Sequence, residues 1–103
     1  MPLRTKTEIA IELVNVRGEI DRVATDIKDA SWEIQEVLAR KMAAESIVSG
    51  NFGKDEKAVA QQQCHEICTQ LAGLYRKQDR REQDLDNLKR KETRLSSQLQ
   101  SAN

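Results

Sequence analysis

The sequence predicts an all-α protein: an antiparallel two-helix coiled-coil hairpin, expected to dimerise into a four-helix bundle. Three observations carry that expectation. Helix breakers are nearly absent from the 103 residues: the one proline is Pro2, and the glycines are Gly18, Gly50, Gly53 and Gly73. Hydrophobic residues make up 38% of the chain, charged residues 33%, and the aromatics are only Trp32, Phe52 and Tyr75, too little apolar bulk for a large globular core or a well-covered sheet. Apolar residues recur every 3.5 positions through two long segments, the period of paired helices.

The first segment reads Ile9, Leu13, Val16, Ile20, Val23, Ile27, Ala30, Ile34 and Val37, in alternating steps of four and three, and continues through Lys41, Ala44 and Val48. Leu13, Ile20, Ile27 and Ile34 take the a positions, and Ile9, Val16, Val23, Ala30 and Val37 the d positions. The second segment reads Ala60, Cys64, Ile67, Leu71, Leu74, Gln78, Arg81, Leu85, Leu88, Glu92, Leu95, Leu99 and Ala102. Gln78, Arg81 and Glu92 are polar members of this seam. Between the segments lies Ser49-Gly50-Asn51-Phe52-Gly53-Lys54. Gly50 suits the left-handed residue that ends a helix, and Asp55 suits the cap of the next, with Glu56 favouring its positive end. The chain is expected to be one hairpin over residues 1–103: helix 5–49, loop 50–54, helix 55–100. So short a connection between equal helices makes them antiparallel.

Two registers suit the seam. In the first, which fits the shorter loop and is preferred, Val37 meets Cys64, Ile34 meets Ile67 and Ala30 meets Leu71. Glu12 then lies by Lys91 and Asp26 by Lys77, but Glu19 faces Asp84. Sliding one heptad pairs Glu19 with Lys91 and Glu33 with Lys77, and opposes Asp26 to Asp84. Such pairs are worth a few tenths of a kcal/mol each, so charge does not choose.

Charge also limits the function. Lys plus Arg and Asp plus Glu number 17 each, so no global field draws the chain to a polyanion or an anionic membrane. Residues 1–52 carry a net −2 and residues 53–103 a net +2, which suits two segments lying together. Met1-Pro2-Leu3-Arg4-Thr5-Lys6 starts basic, but Glu8 and Glu12 interrupt the apolar residues beyond it, so neither a signal peptide nor a membrane helix is expected. Cys64 and Cys68 stand one helical turn apart, where a disulfide would close only a tiny loop. They read as reduced, packed thiols of a cytoplasmic protein.

No enzyme is expected. Cys64-His65-Glu66-Ile67-Cys68 invites a metal or a Cys–His pair, but zinc needs four tetrahedral ligands and His65 points about 100° away from Cys64. No Gly-rich phosphate loop and no paired-acid pocket is visible, so no catalytic residue, metal or cofactor is assigned, and no small-molecule substrate. Arg76, Lys77, Arg80 and Arg81, and again Lys89, Arg90, Lys91 and Arg94, could touch phosphates. The acids Asp79, Glu82, Asp84, Asp86 and Glu92 stand among them, so a solvated, ion-paired face is the commoner cause.

Apolar residues off the seam point to protein contacts. Trp32 and Ile11 fall at f, away from the partner helix; Met42 and Val14 fall at b; Leu38 and Ala24 fall at e; Ile47 falls at g. Trp32, Ala39 and Met42 share one outer strip, a candidate surface for a partner or a second copy. Phe52, between two glycines, is expected to fold back and cap the seam, or else to be presented to a partner. Contact residues are therefore sought at Trp32, Met42, Leu38, Ile11 and Phe52. Gln78, Arg81 and Glu92 either fix the register at some cost in stability or leave a looser half able to repack on a partner.

About a hundred residues in two helices with a central Gly-containing loop resembles the layout of the secreted WXG100 proteins, and Tyr75 to Asp79 gives a Y-x-x-x-D spacing. The loop reads Asn51-Phe52-Gly53 without Trp-x-Gly, and Trp32 and Tyr75 lie within helices. The layout also looks like that of helical-hairpin secretion chaperones and export-stalk proteins. The expected function is a non-enzymatic protein-interaction module: adaptor, small chaperone, inhibitor or assembly subunit. Its partner is a protein or itself, with a homodimer foremost. The alternatives are a nucleic-acid-associated regulator using the basic stretches of the second helix, and a WXG100-like or secretion-chaperone-like hairpin.

Overall fold

The computed structural model describes residues 5–101. Within them the chain forms two helices, α1 (Lys6–Ser49) and α2 (Lys54–Ser101), joined by a short loop and packed along their lengths as an all-α helical hairpin. The seam position Ala102 and the N-terminal Met1–Arg4 stretch lie outside the described residues.

Thr5 starts α1. Its Oγ1 accepts the Glu8 backbone N–H at 3.1 Å, and Glu8 adds an acid to the first turn. The sequence Thr5-Lys6-Thr7-Glu8 carries this capping-box spacing, a signal the periodicity argument passed over. At the other end Gly50 does not take the left-handed conformation expected of it, since no described residue has a positive φ. Glycine is needed there for room instead. A Cβ on Gly50 would lie 2.8 Å from the Ser46 carbonyl oxygen and 3.0 Å from the Phe52 ring. Nor does Asp55 cap α2. The helix begins at Lys54, with the Lys57 N–H donating to the Gly53 carbonyl at 3.0 Å. Asp55 and Glu56 sit inside the first turn, where their charge favours the exposed N–H groups.

Every described seam position of both helices is buried or half-buried, while most residues between them are exposed. The seven-residue repeat therefore marks the packed stripe correctly. The helices divide into two compact units, Lys28–Asp79 and Met1–Ile27 with Arg80–Asn103.

In Lys28–Asp79, Ile34, Val37 and Leu71 form the core, with Leu38, Ile67 and Leu74 packed against it. Gln78 is buried in the same seam and donates from Nε2 to Ser31 Oγ at 3.1 Å. This contact overturns the preferred register. There Gln78 would face Val23, eight residues and about 12 Å along the helix from Ser31. The slid register puts Gln78 against Ala30, next to Ser31, and Leu71 against Val37. The seam then ends at Val48 and the fully buried Ala60, so the first turn of α2 belongs to the bend.

In the other unit Ile9, Leu13, Val16 and Leu95 are buried together, with Ile20, Leu88 and Leu99 against them. The preferred register would set Leu95 opposite Lys6; the slid one sets it opposite Leu13. Arg17 Nε lies 3.6 Å from Glu92 Oε2, as expected when Glu92 faces Val16. Lys91 Nζ does approach Glu12 Oε1, at 3.6 Å, the pair foreseen for the first register. A lysine's four-carbon arm covers the offset of about 7.5 Å, so the packed leucines are the stronger constraint.

Candidate interaction surface

Each helix turns its seam inward and leaves its outer face to solvent. On α1 that face carries Trp32, 62% exposed, and Met42, 67% exposed, with Ile11 and Val14 also in solvent. The 3.5-residue period foretold these placements, because f and b point away from the seam. Val59 and Tyr75 on α2 are exposed as well. An exposed indole on a helix whose apolar stripe is already used has no packing role within its own hairpin.

Of the expected contact residues, Leu38 falls elsewhere, and Phe52 lies exposed, the second of the two placements expected for it. Leu38 is half-buried and packs against Ile34, Val37 and Leu71. It belongs to the hairpin's own core, because the slid register covers the e side of the seam at that level. Phe52 does not cap the seam. It is 48% exposed and rests against Gly50 beyond the last seam layer. With Ile47, Val59 and Ala60 it lines an open apolar depression of about 410 Å³, edged by Asp55, Glu56 and Gln63.

The polar seam residues behave differently from one another. Gln78 is buried on Ser31, Glu92 is half-buried beside Arg17, and Arg81 is half-buried. Among the basic residues of α2, Arg76, Lys77, Arg80, Lys89, Arg90 and Arg94 are exposed, and Lys91 is half-buried by Glu12. Arg90 Nη2 holds Asp86 Oδ2 at 3.0 Å, one turn away.

Cys64 and Cys68 are free thiols, the first half-buried in the seam and the second exposed. His65 is exposed. Among the described residues no three His, Cys, Asp or Glu side chains gather where they could hold a metal ion. No helix among them is long and apolar enough to cross a membrane.

No protein-family model, no curated protein and no solved structure matches the chain. The WXG100 likeness is thus one of layout, with Tyr75 and Asp79 both in the middle of α2.

Proposed function

We propose that this chain is a non-enzymatic protein-interaction module that acts by docking the outer face of α1 against another helix. The observation that carries the reading is the exposed pair Trp32 and Met42, on a helix whose opposite side packs against α2 through Ile34 and Val37. Large apolar groups at exposed positions supply most of the binding energy of such contacts, and tryptophan is foremost among them. An adaptor, small chaperone, inhibitor or assembly subunit fits this reading, in which two hairpins pair as a four-helix bundle. Two free thiols, one of them exposed, suit a reducing compartment such as the cytoplasm.

The nucleic-acid reading has less behind it. Acids stand between the basic residues of α2, and Arg90 and Lys91 already face Asp86 and Glu12. Binding to duplex or single strands at low salt, lost steeply as salt rises, would favour it instead.

Immobilised hairpin, wild type and Trp32→Ala, tests the main reading. The wild type is expected to retain a labelled second copy or a foreign protein at least tenfold better than Trp32→Ala, with equal helicity by circular dichroism. Equal retention by the two proteins would contradict it.

A further inference from the structure

We propose that the unit at the bend, Lys28–Asp79, holds a second docking site: a groove between α1 and α2 that takes a short amphipathic helix with lysine or arginine beside its apolar stripe. The site goes beyond the contact reading above, because neither Trp32 nor Met42 lines it.

Two open depressions lie between the helices of this unit. The one at the bend, about 410 Å³, is walled by Ile47, Phe52 and Val59. The next, about 390 Å³, lies between Arg40, Ala43 and Ala44 of α1 and Glu66 and Ile67 of α2. Ile47 and Gln63 line both, so the two run together as one groove. Along α2 its lining extends from Asp55 to Gln70, about 22 Å, the length of a helix of about four turns. Its floor is made of small side chains. Ala44 and Ala60 are buried and Ala43 stands beside them, so a third backbone can come close. Phe52 and Val59 stand well exposed at the bend end and are the large apolar groups that such a helix would cover.

Charge says which helix. The groove is lined by three carboxylates, Asp55, Glu56 and Glu66, and by one guanidinium, Arg40. Asp55 and Glu56 stand at the bend end, where no cation lines the groove. Lys54 and Lys57 share that turn, but each is rotated about 100° from its acidic neighbour, off the groove. Among the described residues neither Asp55 nor Glu56 is joined to a basic side chain. The positive end of α2 offsets only about half a charge of the two. A second copy laid in the groove by the same face would bring the same acidic excess, whichever way it ran, and a nucleic acid would bring phosphates. A helix with basic residues beside its apolar stripe brings the opposite charge. Exposed ion pairs add little affinity, so apolar contact holds this partner and charge selects it.

Fluorescence anisotropy on the full chain tests the site with two labelled synthetic peptides of about fifteen residues. Both are amphipathic helices with a leucine stripe; one carries lysines beside the stripe, the other glutamates at the same places. The lysine peptide is expected to bind at least tenfold more tightly than the glutamate peptide. Asp55→Asn with Glu56→Gln should remove most of that preference. Val59→Ser and Ala43→Gln, two exposed changes at opposite ends of the groove, should each weaken the lysine peptide at least fivefold with unchanged helicity by circular dichroism. Trp32→Ala should leave its binding within twofold. Equal affinity for the two peptides, or no binding of the lysine peptide below about 1 mM, would overturn the proposal. So would unchanged binding by both Val59→Ser and Ala43→Gln. Loss of the peptide in Trp32→Ala would overturn it as well, by placing the peptide on the outer face of α1, and would leave the contact reading standing.

Discussion

Gln78 shows how one side chain decides between alternatives that the repeat leaves equal. A seven-residue pattern slipped by seven residues still sets apolar against apolar, so hydrophobicity cannot choose the register. The hydrogen bond from Gln78 to Ser31 can. Its partner was not legible, because Ser31 lies beside the seam at e and carries no hydrophobic signal. A polar seam residue kept for specificity has a cost in stability. Gln78→Leu is therefore expected to raise the unfolding free energy by about 1 kcal/mol in urea titration, while admitting the other register. Gly50 acts at the same scale. A methyl group there would press on the Ser46 carbonyl oxygen, so Gly50→Ala should cost about 1–2 kcal/mol by overpacking. Gly73, inside α2, has nothing within 4 Å of an added Cβ. Gly73→Ala should instead gain up to about 1 kcal/mol. Thermal unfolding of the two variants together checks the contrast, and equal shifts would refute it.

Helix lengths and the inward stripe were legible, since breakers and periodicity act locally. The ends were less so. Asp55 offered a plausible cap, but the chain begins α2 one residue earlier and uses it as a first-turn acid. Thr5 supplies the cap of α1, and Thr5→Ala should lose about 1 kcal/mol and speed amide exchange in the first turn alone. The exposed ion pairs matter far less. Lys91 is nearly half exposed where it meets Glu12, so Lys91→Gln should shift the unfolding free energy by under about 0.5 kcal/mol. A larger loss would mean that charge, not leucine packing, sets the register in that unit.

In the candidate surface, Trp32, Met42 and Ile11 were legible because an exposed position follows directly from heptad phase. Leu38 was not, and for Phe52 the choice between burial and exposure was left open. The covering of an e position depends on the register, and a ring between two glycines has no periodic neighbour to place it. Two helices bury only one stripe each, thin compensation for ordering so long a chain. A second copy laid on α1 would supply the missing apolar contact, and the unfolding midpoint would then rise with protein concentration.

Sedimentation equilibrium of the wild type and Trp32→Ala across a hundredfold concentration range tests the central claim most directly. The wild type should climb from its 11.7 kDa chain mass toward twice that value, while Trp32→Ala stays at the chain mass and keeps its helical spectrum. Two identical curves, whether both monomeric or both dimeric, would contradict the account.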